Sequence, residues 1–336
     1  MGATIKDVAR QAGVSTATVS RVVNNDHRIS PATRQRVLDA VSLLNYKVNT
    51  VARSLKSKRT LSVGLIAPEI DNVFFMRVAR GVEDRLGEEG YSMIVVNARE
   101  SELREEAALE LLLEKQVDGI IAIPSGSRGD HLALALQARV PLVLVDRLVE
   151  NFTTDAVLVD NREATYRAIT RLATGGHRSF GFIGGQPHIF TARERYQGFI
   201  QALRDQGIPP REEHLLFGDF HIESGYHLMK NLMEQPDPPR TVMIANYFMH
   251  IGVIRYISFQ RGQIPPDLYL AAFDNMEFSA VSSVPSLSIA QPIDQIGRHA
   301  AERVLQRIQG DNENWPCIER LPTKEITYND QHHHQP

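Results

Sequence analysis

Cysteine is almost absent from this chain of 336 residues, and long hydrophobic runs are absent altogether. The single cysteine, Cys317, excludes an internal disulfide framework, which is typical of a protein in a reducing cytoplasm. No apolar stretch approaches the ~18 residues of a membrane span, so a membrane is not an expected partner. Residues 1–10 lack the apolar core of a secretion signal, and we therefore expect a cytoplasmic protein.

Catalytic motifs are lacking as well. The glycines of residues 180–186, FGFIGGQ, do not have the spacing that brings a backbone close to a dinucleotide pyrophosphate. Residues 126–129, GSRG, do not form the nucleophile motif of hydrolases, and the zinc motif H-E-x-x-H is absent. We therefore expect no enzyme activity, no metal and no cofactor. The polar tail, residues 329–336, contains three histidines and is expected to be disordered.

Charge is distributed unevenly along the chain. Up to Thr60 there are eleven Lys and Arg residues and three Asp residues, a net charge of +8. Since the whole chain has a formal net charge of −3, the remaining residues carry −11. A basic segment on an acidic body indicates that the segment contacts a polyanion such as DNA. A solvated basic surface without a partner would have the same composition.

Three short helices are predicted within residues 1–46. Residues 4–12 have a helical apolar face, and Gly13 then supplies the positive φ of a tight turn. A second helix is expected to begin near Thr16, and Ser30, which is followed by proline, is a typical start for a third. Three short helices with a glycine in the first turn indicate a helix-turn-helix.

From Leu61 onward, short apolar strands alternate with amphipathic helices. Such alternation predicts parallel sheets with helices on both faces, and the length of this part predicts two lobes. The last long helix and the segment after it are expected to return to the first lobe. The predicted organisation is a head (1–46), a linker with one or two helical turns (47–60), lobe 1 (about 61–160 and 293–328), lobe 2 (about 161–292) and the tail.

Short strings along the chain share the order and spacing of one known family. In the first part they are TIKDVA at 4–9, AGVS at 12–15, TVSRVVN at 18–24, LNY at 44–46 and VARSL at 51–55, and later DNVFF at 71–75, VDR at 145–147 and AFD at 272–274. Together they resemble the LacI/GalR family of bacterial transcriptional regulators, from Thr4 to about Thr327. The resemblance implies an α/β protein with a helix-turn-helix head, a hinge helix, and a two-lobed sensor similar to ribose-type periplasmic binding proteins.

The resemblance also implies which residues of the head contact DNA. The family places the second helix in the major groove, where Thr16, Ala17 and Arg21 match the base-reading positions. Arginine can donate two hydrogen bonds to guanine, whereas Ala17 offers only an apolar contact. The positions expected to contact phosphates, which orient the head without reading sequence, are Ser15, Ser20, Asn24 and Asn49. For Ser20 and Asn24, helix capping is the alternative.

Residues 51–56 resemble the family's hinge helix, of which two copies enter the minor groove together. The residue expected to wedge between base steps is Leu55, with Ala52 and Lys56 beside it. Inserting an apolar side chain costs a few kcal/mol of unstacking and bends the duplex toward more contact with protein. The alternative is that Leu55 packs against the sensor.

Ten sensor positions match the ligand positions of ribose-type binding proteins. Phenylalanine rings can cover the flat faces of a sugar, while carboxylate, amide and guanidinium groups bond its hydroxyls. Each residue also has a structural alternative, such as a core position at a helix start or an ion pair at a strand end. The ten residues are Asn72, Phe74, Phe75, Asp146 and Arg147 in lobe 1, Arg195, Phe220, Asn246 and Asp274 in lobe 2, and Gln291 in a connecting strand.

The expected function is that of a homodimeric repressor of a sugar-utilisation operon, with a monosaccharide such as ribose as inducer. Three alternatives remain open: a purine or nucleoside effector, a sugar phosphate effector, and a sugar-binding component of a transporter. Tyr247 stands where family members usually have aspartate, which favours a different or larger sugar, or a phosphorylated one. The basic head argues against the transport component.

Overall fold

The structure is a computed structural model that describes residues 3–23, 28–46, 59–260, 265–274 and 284–328. The chain forms two compact units, residues 1–60 and residues 61–336. No helix within the described ranges is both long and apolar enough to cross a membrane.

Some residues with predicted roles lie outside the described residues. They are the phosphate contacts Asn24 and Asn49, the hinge residues Ala52, Leu55 and Lys56, and the tail. Their roles therefore stay predictions.

The head contains three helices around a small apolar core. They are α1 (Ile5–Ala12), α2 (Thr16–Val23) and α3 (Pro31–Leu43). Thr4 and Asp7 cap α1 reciprocally, since each side chain accepts a hydrogen bond from the other residue's backbone N–H. Gly13 ends α1 with φ +64°, as the sequence predicts. The buried side chains Val8, Val19, Val22 and Val37 hold the three helices together.

Lobe 1 of the second unit is a twisted sheet covered by helices on both faces. Its first elements are β1 (Ser62–Ala67), α4 (Val73–Glu88), β2 (Ser92–Asn97), α5 (Glu102–Glu114), β3 (Gly119–Ala122), α6 (Ala133–Gln137), β4 (Leu142–Val145) and β5 (Asp155–Val159). β1, β3, β4 and β5 are short apolar strands, which is typical of a sheet that is buried on both faces. Leu109, Leu112 and Leu132 cover one face, and Val78 and Val82 cover the other.

Lobe 2 repeats this arrangement. Its elements are α7 (Asn161–Thr174), β6 (Phe180–Gly184), α8 (Phe190–Asp205), β7 (Leu215–Phe217), α9 (Ile222–Met233), β8 (Thr241–Ile244), α10 (Tyr247–Phe259), β9 (Tyr269–Phe273) and β10 (Ser286–Ala290). The remaining elements are α11 (Ile293–Ile308), β11 (Ile318–Leu321) and β12 (Lys324–Tyr328). The strand orders are β11-β5-β4-β3-β1-β2 and β12-β10-β9-β8-β6-β7, and every pair is parallel except β10–β12.

The helix α11 returns to lobe 1, as expected. It packs against α4 so closely that a Cβ on Gly81 would lie 2.4 Å from the Asp294 carbonyl oxygen. Further along, Arg307 forms a buried two-point ion pair with Asp155, at 2.7 and 3.1 Å. Asp155 also accepts the Cys317 N–H at 2.8 Å, so one carboxylate at the start of β5 holds both α11 and the segment that leads to β11.

The last strand corrects one boundary, because residues 293–328 were all expected in lobe 1. β12 instead pairs antiparallel with β10, from Lys324 opposite Ala290 to Tyr328 opposite Ser286. The assignment to lobe 1 is therefore wrong for this strand. The backbone groups of β12 form hydrogen bonds with the edge of β10 that does not face β9. Three connections between described residues thus link the lobes, at 159–161, 290–293 and 321–324.

Candidate effector-binding site and nucleic-acid interface

The cleft between the two lobes is lined by all ten residues that the sequence predicts as ligands. Asp146 follows β4, Asn246 follows β8 and Asp274 follows β9, so the cleft lies at the carboxyl ends of parallel strands, where α/β sheets usually bind ligands. Its cavity volume, counted as the space open to the centre of a water molecule, is about 50 Å³. The lining residues are Asn72, Phe74, Phe75, Asp146, Arg147, Arg195, Phe220, Asn246, Asp274 and Gln291, with Glu100, Thr191 and Tyr247 in addition.

Three of these residues have an unusual backbone conformation. Asp146, Phe220 and Asp274 have φ values of +65°, +70° and +74°, in the left-handed region that residues other than glycine rarely adopt. Such conformations cost free energy and are concentrated at binding sites. Their presence at one cleft therefore indicates a functional site in this part of the molecule.

Arg147 is the central cation on the lobe 1 side of the cleft. Its two terminal nitrogens donate to the two carboxylate oxygens of Glu100, at 2.9 and 3.1 Å, and one of them also donates to the Pro124 carbonyl. Its Nε lies 3.6 Å from an Asp146 oxygen, beyond hydrogen-bond distance. Burial lowers the pKa of Arg147, but Glu100 and Asp146 outweigh burial and raise it overall. Burial raises the pKa of Asp146.

Arg195 is the corresponding cation on the lobe 2 side. It belongs to α8, and its guanidinium carbon lies 3.7 Å from the centre of the Phe273 ring. Its Nε donates to Asn161 at 2.8 Å, and one terminal nitrogen donates to the Ala245 carbonyl. Burial lowers the pKa of Arg195, and the charge of Asp274 is the largest effect that opposes this. Arg195 therefore depends for its charge balance on Asp274 in the same lobe and on Asp146 across the cleft.

Aromatic rings and capping asparagines shape the remaining walls. Phe74 and Phe75 lie edge to face at 5.4 Å in the first turn of α4, which Asn72 caps by accepting the Phe74 N–H. Asn246 caps α10 in the same way and also donates to the Phe220 carbonyl at 3.0 Å. Each asparagine thus fixes a helix start and holds an amide group at the cleft.

Two buried polar atoms in the cleft lack a hydrogen-bond partner among the described residues. One is the Nε donor of Arg147, and the other is the Oε1 acceptor of Gln291, whose amide nitrogen bonds Asp274 at 2.5 Å. A buried group without a partner costs about 1–3 kcal/mol. A ligand that supplies both an acceptor and a donor, such as a hydroxyl group, would remove this cost.

Three residues that line the cleft, Glu100, Thr191 and Tyr247, were not among the predicted site residues. Glu100 lies in the loop after β2 and Thr191 in the first turn of α8, so the rule that ligands bind at strand ends could have found both. Tyr247 was singled out as a departure from the family pattern, and it lines the cleft at the start of α10.

A larger cavity lies at the opposite end of lobe 2, at the amino ends of β6 and β8. Its cavity volume on the same measure is about 660 Å³, and Arg171, Arg178 and Arg240 are among the residues that line it. Arg171 pairs with Glu325 at 3.1 Å, and Arg240 pairs with Asp267 at 3.0 Å. None of the predicted ligand residues lines it, so the cleft between the lobes is the candidate site.

The head exposes the predicted base-reading residues on one side of α2. Thr16, Ala17 and Arg21 are exposed, whereas Val19 and Val22 on the opposite side are buried in the head. This is the arrangement that a helix needs to place side chains against base edges.

Of the residues predicted to contact phosphates, Ser15 and Ser20 lie in the described part of the chain. The Ser15 hydroxyl accepts the Thr18 N–H at 3.1 Å and therefore caps α2, while Ser20 is half-buried. The structure thus gives Ser15 a capping function beside the predicted contact with DNA.

The buried His250 of α10 predicts a specific dependence of stability on pH. It is 1% exposed, and neither ring nitrogen has a partner among the described residues. Burial lowers the pKa of His250 from 6.5 to about 4. The unfolded chain therefore binds a proton near pH 6.5, while the folded chain does not until about pH 4. The stability from the neutral ring is complete above pH 6.5 and decreases by about 3 kcal/mol toward pH 4.

Chemical denaturation at about pH 7.5 and about pH 5 checks this expectation. In the variant His250→Leu, the loss of unfolding free energy between the two pH values should be about 1–2 kcal/mol smaller than in the unmodified chain. Other titrating groups contribute equally to both proteins and cancel in the difference. Equal losses in the two proteins would contradict the assignment of a neutral buried ring.

A helix-turn-helix head and a two-lobed domain with a polar, aromatic cleft define a DNA-binding regulator that responds to a small molecule. Comparison with known proteins is more specific. Residues 4–49 match bacterial regulatory proteins of the lacI family, and residues 60–325 match the periplasmic binding proteins and sugar binding domain of the LacI family. The chain belongs to the LacI family, which confirms the resemblance found in the sequence.

Individual relatives match between 80% and 97% of this chain. Catabolite control protein A of Priestia megaterium is 33% identical over 323 residues, which cover 96% of this chain and 97% of that protein. The lac repressor dimer bound to operator is 25% identical with a TM-score of 0.87, covering 97% of this chain and 98% of that one. A structure from Burkholderia thailandensis, described as a ribose operon repressor, is 30% identical with a TM-score of 0.72, covering 80% of this chain and 99% of that one.

These relatives establish the class of the protein. It is a transcriptional repressor with a sugar-binding sensor domain, and its relatives are regulators and not enzymes. Repressors of this family bind operator DNA as dimers and respond to sugar or nucleotide effectors.

Proposed function

We propose that this repressor controls a sugar-utilisation operon and that a monosaccharide such as ribose, bound in the cleft, releases it from its operator. The ten predicted residues would form the effector site, with Thr191 and Tyr247 completing its walls. Residues 47–60 would be the hinge between a DNA-binding head and the sensor. The protein would act in the cytoplasm, where operator DNA is accessible.

The observation that carries this proposal is that one cleft contains both polar atoms without hydrogen-bond partners and aromatic side chains. Arg147 Nε and Gln291 Oε1 need an acceptor and a donor from the ligand. Phe74, Phe75 and Phe220 offer apolar surface beside them. A sugar ring has both features, since its hydroxyls donate and accept while its C–H faces are apolar.

The similarity to a ribose operon repressor supports the same class of ligand, because that chain is 30% identical over its whole length. A second reason to propose a sugar is that all ten predicted residues are of the types found at the ligand positions of ribose-type binding proteins. Tyr247 lines the cleft where family members usually have aspartate, and it would adjust which sugar fits.

The proposed mechanism couples cleft closure to DNA release. Two chains would present two heads to a pseudo-palindromic operator, where Thr16, Ala17 and Arg21 read bases, Ser15, Ser20, Asn24 and Asn49 contact phosphates, and Leu55, with Ala52 and Lys56, enters the minor groove. A sugar that bonds both lobes would favour a closed cleft and a relative rotation that separates the two hinges. The sugar and the operator would then weaken each other's binding by the same factor.

Isothermal titration calorimetry of the full chain tests the class of effector. D-ribose or another neutral monosaccharide should bind with a Kd in the micromolar range, about 8 kcal/mol of binding free energy. The panel should also contain fructose, the phosphate esters of both sugars, and purine bases. Binding of a purine alone, or of no compound in the panel, would overturn the proposed function.

A further inference from the structure

Glu100 reaches the effector cleft from a loop with an unusual conformation. The loop joins β2 to α5, and both Arg99 and Glu100 have φ +50°, so two successive residues are in the left-handed region. The Glu100 N–H donates to the Pro68 carbonyl at 2.8 Å, which fixes the loop against the segment after β1. Two left-handed residues in sequence have a free-energy cost, which indicates that the position of this carboxylate matters.

The carboxylate of Glu100 occupies the part of Arg147 that would otherwise bind an anion. Planar guanidinium groups bind phosphates and carboxylates through two parallel hydrogen bonds. Here both terminal nitrogens of Arg147 already make those bonds to Glu100, at 2.9 and 3.1 Å. The Arg147 side chain is 5% exposed and that of Glu100 is 38% exposed, so Glu100 lies where the cleft meets solvent.

The second cation of the cleft, Arg195, also already has protein partners. Arg195 donates to Asn161 and to the Ala245 carbonyl and stacks on Phe273. Among the described lining residues, two guanidinium groups thus face three carboxylates, those of Glu100, Asp146 and Asp274. A phosphate ester would bring about two further negative charges into a largely buried site whose excess charge is already negative.

We propose that Glu100 is a specificity-determining residue, which neutralises Arg147 and selects uncharged sugars over their phosphate esters. This inference rests on the proposed function and narrows it, since sugar phosphates were one of the open alternatives. The Nε donor of Arg147 has no partner among the described residues and can donate a single hydrogen bond to a sugar hydroxyl, whereas Glu100 already occupies the two terminal nitrogens that would make a two-point contact with a phosphate.

The test compares neutral and phosphorylated forms of one sugar on the full chain. The variant Glu100→Gln keeps the size of the side chain but removes the carboxylate that makes the two-point contact with Arg147, which leaves Asp146 as the nearest negative charge. The variant Glu102→Gln removes the same charge two residues away, at an exposed position that does not line the cleft. Calorimetry would measure D-ribose and ribose 5-phosphate, and fructose and fructose 1-phosphate, on all three proteins, with thermal unfolding to check that each is folded.

The unmodified chain and Glu102→Gln should prefer the neutral sugar over its phosphate ester by about 100-fold or more. Glu100→Gln should reduce that preference by about tenfold or more, mainly through tighter binding of the ester. A preference for the ester in the unmodified chain, or an unchanged preference in Glu100→Gln, would overturn the role of Glu100 while leaving a sugar effector intact. If none of these compounds binds the unmodified chain, both the role and the proposed function are wrong.

Discussion

Replacing Asp274 by asparagine is expected to weaken binding of the sugar effector by about 100-fold or more. The carboxylate follows β9 at the floor of the cleft, where it can accept hydrogen bonds from sugar hydroxyls with both oxygens. It is also the largest opposing charge for the buried Arg195, so the variant loses a charge partner inside the site. Asparagine keeps one acceptor oxygen but loses the negative charge and the second acceptor oxygen. Each hydrogen bond to a charged group contributes about 1.5–3 kcal/mol, so one lost bond and one weakened bond account for the expected loss.

The matched control is Asp267→Asn, which removes an exposed carboxylate of lobe 2 that pairs with Arg240. Calorimetry with the best neutral sugar should show unchanged affinity for this control, because a surface ion pair contributes little. Thermal unfolding of both variants without sugar separates loss of binding from loss of structure. Asp274→Asn with nearly unmodified affinity would show that the cleft does not hold the sugar in the proposed way.

Replacing Arg21 by alanine is expected to reduce the discrimination between operator and random DNA by roughly 30-fold or more. Arg21 is exposed on the side of α2 that faces away from the core of the head, and a two-point contact with guanine contributes about 1–3 kcal/mol. A dimer loses two such contacts, which corresponds to a decrease of roughly 30-fold to 10⁴-fold in operator affinity. Binding to random duplex should decrease far less, because only one phosphate-attracting charge per head is removed.

The control for this prediction is Arg36→Ala, which removes the same charge from an exposed position on α3. Fluorescence anisotropy with labelled operator and with scrambled duplex, at one fixed salt concentration, measures both affinities for each variant. Equal losses on the two duplexes in Arg21→Ala would mean that Arg21 contacts phosphates and does not read bases.

Helices and strands could be predicted from the sequence where the local residue pattern alone favours the structure that the folded chain adopts. β1 and β2 are two of the short apolar strands that the alternation after Leu61 predicts. α10 is harder to predict, since its sequence YFMHIGVIRYISF is apolar on nearly every side and lacks the periodicity of a surface helix. β11 and β12 are short edge strands that become extended by pairing with β5 and β10, which a local pattern does not reveal.

The composition of the candidate site was largely predictable, but its electrostatics were not. The family resemblance identified ten of the lining residues, and the structure brings them to one cleft. The position of Glu100 after β2 could have marked it as a lining residue, but its contact with Arg147 depends on the left-handed loop and follows from no sequence motif. The two unpaired atoms, on Arg147 and Gln291, likewise follow only from the three-dimensional hydrogen-bond pattern.

The most direct measurement of the central claim is an operator titration with and without sugar. Fluorescence anisotropy would follow the full chain binding to duplex from its own promoter region and to scrambled duplex, at constant physiological salt. If sugar bound in the cleft lowers the affinity of the heads for operator, the neutral sugar that calorimetry identifies should weaken promoter binding by about 5- to 150-fold. Binding to scrambled DNA should remain nearly unchanged. Promoter binding that is no tighter than binding to scrambled DNA, or that does not change with saturating sugar, would contradict this coupling.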